Sequence, residues 1–340
     1  MMLSYRTRSR LKRAGTVLLT VLVAALVVWV IWFFWLSRFV VYTRDQGAVI
    51  DMDSPSTQLF GEVAVKPEIK NPISIYYNEG ENAINTSKEL EQIYGYYITG
   101  AMLEKDISAI RPQIQALEKG TPVMIDVKSI YGNFFYSSSV SSYRNGDLDT
   151  AAMDDLIEYL DLSGMYTIAR VPALRDRNFG LDNVSSGLPV AAGYLWMDER
   201  GCYWLNPANE ATIAYLVQIA TELRNLGFEE VVFTDYYFPK TDKIVYKKDK
   251  TEALTNTARM LVNTCSTDAF AVSFAYGGTT FTLPEGRSRM YMENVAAADV
   301  VTAAENSGVE DKQVKVVFMA TVHDTRYDQY GVLRPIDEAH

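Results

Sequence analysis

The sequence predicts a (β/α)8 barrel, complete or lacking one strand, behind a single N-terminal membrane-spanning helix. Three observations carry this reading. From about residue 93, short apolar strands alternate with helix-period segments to the end of the chain, the pattern of a parallel β/α architecture. Residues 227–239, GFEEVVFTDYYFP, close a helix at Gly227, pass through a short apolar strand and place a carboxylate, Asp235, where that strand should stop. Parallel strands are buried on both faces, so polar side chains survive mainly at their carboxyl ends, where the loops build a site. Residues 14–36 run AGTVLLTVLVAALVVWVIWFFWL without a charge, close to the ~20 apolar residues a helix needs to cross a bilayer.

Taken in order, residues 1–13 are a basic tail and 14–36 the span. Trp29, Trp32 and Trp35 gather at one end of it, as an interfacial belt does, and the basic cluster lies at the other. The positive-inside rule then puts the N-terminus in the cytoplasm and everything after about Arg38 outside. A cleaved signal peptide is the rival reading, but the apolar stretch exceeds the ~7–15-residue core of a signal and no small-residue cleavage site follows. The expected localisation is therefore the cell membrane, with an uncleaved signal-anchor in contact with lipid.

Residues 37–90 bear Pro, Ser and Asn and read as a stalk and lead-in, with one strand-like piece at 73–77. Residues 91–340 form the barrel domain. Its legible strands are 94–98, 123–127, 166–171, 231–235, 270–274, 300–303 and 314–319, and its clearest helices are 104–118, 150–162 and 209–226. In the last helix Ile213, Leu216, Ile219, Ala220 and Leu223 recur at three-and-four spacing, one apolar face to lay on a sheet. Seven strands are visible. The eighth falls to residues 73–77 or to the tail, or the barrel is incomplete.

The 340 residues are 48% hydrophobic and 22% charged, an ordinary globular balance. Residues 1–44 hold seven Lys or Arg and no acid, leaving 25 basic against 42 acidic residues and a formal charge of −17 on the remainder. Such a body is a poor match for nucleic acid, whose phosphates need a basic face, and suits a neutral ligand such as a glycan. With His323 and His340 the sole histidines, and Cys202 and Cys265 far apart, no zinc spacing is present and no metal or cofactor is implied. The cysteines are expected to be separate buried thiols, with a disulfide the alternative.

Polar groups inside apolar strands mark the candidate site. Asp126 and Lys128 lie two apart after a buried run, so on an extended strand they share a face, as a substrate-binding pair or a structural one. Arg170 interrupts an apolar strand and must find a carboxylate, because an unpaired buried charge is costly; Asp126 and Asp235 are its natural partners. The long insertion at about 174–207 carries Asp176, Trp196, Asp198, Tyr203, Trp204, Asn206 and Pro207. Its aromatics could stack on sugar rings or simply pack the loop onto the barrel.

Four ordered segments, IDVKSIYGNFFYSS (125–138), ARVPALRD (169–176), WMDERGCYWLNP (196–207) and GFEEVVFTDYYFP (227–239), resemble a family of "putative glycosyl hydrolases" known mainly as a domain of unknown function. The resemblance covers about residues 93–335. It implies a TIM barrel distantly akin to the α-amylase-like hydrolases and a carbohydrate substrate. The family runs roughly G-F-D-E-I-Q-F-D-Y-V-R-F-P at strand four, so residue-by-residue matching places Thr234 where the family has its Asp and Tyr237 where it has Arg. In an extended strand a one-residue shift turns a side chain to the other face. At strand six, where relatives show Pro-Met-x-Tyr, the chain has Ala303, Ala304, Glu305 and Asn306, and the terminal strand of relatives is not evident.

Glycoside hydrolysis uses two carboxyls, one holding a raised pKa to donate a proton. The best pair here is Asp235 with Asp126, with Asp176 and Glu305 in reserve; Lys128, Arg170, Asp176, Trp196, Trp204, Asn206, Tyr237 and Glu305 are the expected substrate contacts. The expected function is a membrane-anchored, outward-facing glycoside hydrolase. A non-catalytic glycan-binding barrel and a structural protein of the cell envelope are the alternatives.

Overall fold

A computed structural model describes residues 90–338, together with the backbone of two short strands, Val40–Thr43 and Gly47–Ile50, which pair antiparallel within a separate N-terminal unit. The expected membrane span at 14–36 and the strand-like piece at 73–77 lie outside the described residues. Among the described residues no helix is long and apolar enough to cross a membrane.

Eight parallel strands close into a barrel: β1 (Tyr94–Ile98), β2 (Pro122–Asp126), β3 (Tyr166–Pro172), β4 (Glu230–Thr234), β5 (Ala271–Ala275), β6 (Met290–Glu293), β7 (Val316–Met319) and β8 (Gly331–Pro335). Each pairs with its sequence neighbour, and β8 closes the ring on β1. The connecting helices are α1 (Gly100–Asp106) and α2 (Ile110–Gln115), α3 (Thr150–Ser163), the short α4 (Arg177–Asp182), α5 (Glu210–Asn225), α6 (Lys250–Cys265), and α7 (Val300–Asn306) and α8 (Lys312–Lys315). No described helix separates β5 from β6 or β7 from β8. The barrel is therefore complete in strands and irregular in its helices.

Local chemistry explains these elements. The Asn209 side chain accepts from the backbone N–H groups of Ala211 and Thr212 to start α5, and Asp149 and Asp249 do the same for α3 and α6. Gly164 ends α3 in the left-handed conformation. The predicted apolar face of α5 is buried as read, through Ile213, Leu216, Ile219, Ala220 and Leu223. The predicted helix at 104–118 is broken instead. Asp106 accepts from the N–H groups of Ser108 and Ala109, which turns the chain through a 3-10 segment before α2 begins.

The sixth strand differs from expectation, and the open question of the eighth is resolved. Residues 300–303 are helical, because Val300 and Ala304 form one buried face at helical spacing. The true sixth strand is Met290–Glu293, whose apolar run is only three residues long and is preceded by the buried polar residues Arg287, Ser288 and Arg289. The eighth strand is supplied by the tail.

Inside the barrel Tyr97, Met124, Ile168, Val232, Ala275, Tyr291, Val317 and Leu333 form one cluster. Below it, at the amino ends of the strands, buried Glu230 binds Arg289 at 2.5 Å and accepts from Ser273, Tyr166 and Tyr291. That network closes the floor. Alternation along each strand then fixes which residue lies two positions further up, at the open end: Asp126 above Met124, Arg170 above Ile168, Thr234 above Val232 and Glu293 above Tyr291.

Candidate active site

Asp126 and Arg170 are direct register partners on β2 and β3, and Arg170 Nη1 donates to Asp126 Oδ1 at 2.8 Å. On its other side the same guanidinium reaches Glu293 Oε1, through Nε at 3.0 Å and Nη2 at 2.8 Å. Burial works against the charge of Arg170, but the two carboxylates outweigh it and hold its pKa above the ordinary value. The remaining oxygen of Asp126 accepts from the Gly100 N–H at 2.8 Å. All three side chains keep a fraction of their surface open, 15–25%.

A second group stands beside this triad. Asp235 follows β4 with φ of 49°, in the left-handed region that a non-glycine residue seldom occupies. In a continuing strand, alternation would send Asp235 to the face opposite Thr234; the left-handed turn redirects it, and its carboxylate lies 3.9 Å from Arg175 Nη1. Burial pushes the Asp235 pKa up and the negative charge of Glu293 adds to this, while Arg175, Arg170 and Lys128 oppose it. The result is a carboxyl inclined to keep its proton, close enough to Glu293 to sense its charge.

Arg175 is itself anchored by Asp198 at 2.5 Å and lies over the Trp204 ring, 5.6 Å from its centroid. Trp204 donates its indole N–H to Asp198 at 3.1 Å and meets the Tyr237 ring edge-on at 4.9 Å. Burial and then the charge of Asp235 raise the Tyr237 pKa. Gly277 permits this packing, since a Cβ there would sit 1.8 Å from the Tyr237 ring. Tyr237 thus places an aromatic ring between Trp204 and Gly277.

Other expected site residues fall elsewhere. Lys128 does not pair with Asp126. It binds Asp176 at 2.7 Å and the Pro172 carbonyl at 2.9 Å, with both charged side chains fully buried, and Tyr215 donates to the same carboxylate at 2.9 Å. This pair ties the β2 and β3 loops to α5 and has no surface for a substrate. Asn206 accepts from the Ala208 N–H in the turn before α5. Glu305, expected at a strand end, is exposed on α7, because its segment is helical. Trp196 is half-buried, 6.5 Å from Trp204. Cys202 and Cys265 are free buried thiols, as expected, with pKa values that burial pushes up to about 11 and about 12.

The sequence reading missed Glu293 and Arg175. Glu293 closes an apolar run of only three residues (Met290–Glu293, MYME), too short to stand out as a strand, and Arg175 lies inside the segment ARVPALRD. Among the described residues no group of three or more His, Cys, Asp or Glu is arranged to hold a metal ion.

Residues 95–270 match a protein family described as "Putative glycosyl hydrolase domain". No curated protein matches the chain. Solved structures similar to it include a hypothetical protein from Ruminiclostridium thermocellum, at 18% identity and a TM-score of 0.46, covering 53% of this chain and 96% of that one. An exo-β-N-acetylglucosaminidase from Vibrio harveyi aligns at 8% identity and 0.48, over 73% of this chain and 50% of that one. An α-galactosidase from Geobacillus stearothermophilus aligns at 12% and 0.48, over 75% and 40%. The chain thus spans half or less of the length of these two enzymes.

Proposed function

The chain belongs to the "putative glycosyl hydrolase domain" family, and from that premise we propose that it hydrolyses glycosidic bonds at the open end of the barrel, with Asp235 as proton donor and Glu293 as the opposing carboxylate. The observation that carries this reading is electrostatic. Two carboxyls share the mouth in unlike surroundings: Asp235 is pushed toward its neutral form by burial and by Glu293, while Glu293 accepts hydrogen bonds from the Arg170 guanidinium. Such a split is what two-carboxylate chemistry needs.

In the reaction Asp235 gives its proton to the glycosidic oxygen as the bond to the anomeric carbon breaks. Glu293 faces the positive charge that builds on the sugar; water adds its hydroxyl to the anomeric carbon, and the proton it releases passes to the Asp235 carboxylate and restores the acid. Asp126, with both oxygens occupied by Arg170 and Gly100, positions the guanidinium. The acidic body favours a neutral poly- or oligosaccharide. The uncharged run at 14–36 supports a membrane anchor with the barrel on the outer side.

One feature favours a second reading, a glycan-binding barrel without catalysis. Thr234 holds the inward place on β4, with Arg170 bound between two of the carboxylates at the mouth. Reducing-sugar release from a panel of cell-wall and storage polysaccharides by the full-length protein, beside Asp235→Asn and Glu293→Gln, separates the two. Hydrolysis lost in both variants supports the enzyme; binding without hydrolysis by the parent protein supports the second reading; hydrolysis that survives both substitutions overturns the assignment of Asp235 and Glu293.

A further inference from the structure

The excursion between β3 and α5, with Lys243 of the β4–α6 loop, lines an open cavity of about 530 Å³ that the chemistry above does not use. Leu181, Val184, Tyr194, Trp196 and Tyr203 line it, and Lys243 is the one charged residue on its wall. Tyr194 is 66% exposed, and Leu181 and Val184 are also open to solvent, so apolar surface is presented rather than buried.

The walls are already formed. Bridges Pro189↔Leu195 and Met197↔Tyr203 fold the excursion back on itself, and Val190↔Ile244 ties it to the β4–α6 loop. Gly180 lets α4 lie against Tyr203, where a Cβ would come within 2.6 Å of the Tyr203 side chain. The volume falls in the range of about 300–1,000 Å³ typical of small-molecule sites.

What the cavity would hold follows from where it leads. Trp196 is both part of its lining and the outer member of a chain of rings, 6.5 Å from Trp204, which in turn packs on Tyr237 and under Arg175 beside Asp235. An aromatic-lined wall with phenol and amine groups at its rim suits a sugar ring, which has an apolar C–H face and a hydroxyl edge. The single Lys243 gives no basis for a polyanion.

The geometry points to this cavity as a distal sugar-binding subsite, tied to the barrel mouth through the packed rings of Trp196, buried Trp204 and Tyr237, which makes the substrate an extended oligosaccharide or polysaccharide chain and not a small glycoside. This inference rests on the glycan reading of the mouth. It is tested by isothermal titration calorimetry on full-length Asp235→Asn protein with cellohexaose, maltohexaose and chitohexaose against the matching disaccharides. For at least one linkage the hexasaccharide is expected to bind about tenfold more tightly than its disaccharide. Adding Tyr194→Ala is expected to bring that ratio close to one, and Tyr194→Phe to preserve it. A ratio unchanged by Tyr194→Ala overturns the subsite while leaving disaccharide binding, and so the mouth, intact. Absence of binding at either length removes both readings. A dimer in sedimentation that Tyr194→Ala dissociates would assign the cavity to a second copy of the chain and overturn the subsite.

Discussion

Asp235 Oδ1 lies 3.9 Å from Arg175 Nη1, at the edge of an ion pair and beyond hydrogen-bond reach, while Asp198 holds the same guanidinium at 2.5 Å. Arg175 is thus committed to Asp198 and lends Asp235 only part of its charge. Burial prevails, and the Asp235 pKa rises.

The first prediction concerns stability. A carboxyl whose folded pKa is raised binds its proton more tightly in the folded state, so its contribution is full below the unfolded value, about 3.9, and is lost as pH rises through the folded pKa. Asp235→Asn has no charge to bury, and Asn tolerates the left-handed backbone. The variant should melt higher than the parent at pH 7, with the difference fading toward pH 3. Asp235→Ala should melt lower than Asp235→Asn at every pH, because its side chain is strained at φ of 49°. Thermal melts across that range check both.

Arg175→Gln addresses the same carboxyl through activity. Arg175 is the strongest influence holding the Asp235 pKa down, so its removal should raise that pKa further. A proton donor works while it is protonated. The alkaline limb of the kcat/KM profile should therefore move to higher pH, with the acid limb far less affected. A profile that keeps its shape would remove Asp235 from the proton-donor role.

The parts of this site that could be read from the sequence are those where one residue type forces another. Arg170 in an apolar strand demanded a carboxylate, and Asp126 is its register partner. The Lys128 pairing could not be read, because Asp176 is 48 positions away and arrives through a loop whose path depends on α4 and the Phe179–Tyr215 stack. Asp235 was legible as an acid at a strand end, but its direction was not, since that depends on a backbone angle rather than on residue type. Glu293 was hidden by its strand: an apolar run of three residues flanked by Arg289 has no period to detect, and Arg289 is tolerated only because Glu230, on another strand, meets it.

Glu222 gives a prediction of the opposite sign in pH. Burial alone would raise its pKa, but Ser138 and Ser139, through side chains and backbone, and Tyr136 all donate to it and bring it below the ordinary value. Its contribution is present above the unfolded pKa and is lost as pH falls through the folded one. Glu222→Gln should cost about 1–2 kcal/mol at pH 7, with the deficit shrinking below about pH 4. Urea unfolding at the two pH values measures it.

The floor of the barrel offers a test that no reading of function enters. Glu230 and Arg289 are buried together, and Arg289 also donates to the Glu91 carbonyl. Removing one member of a buried pair leaves the other charge without compensation, at a cost of about 3–5 kcal/mol, whereas replacing both with groups of similar volume is often close to neutral. Arg289→Met should therefore destabilise by about 3 kcal/mol or more, the lower end applying because Ser273, Tyr166 and Tyr291 still donate to Glu230. Arg289→Met with Glu230→Gln should recover much of that loss, giving a positive coupling in a double-mutant cycle. Additive costs would mean that the pair is not a unit and that the three hydroxyls, rather than the guanidinium, hold the Glu230 carboxylate in the floor.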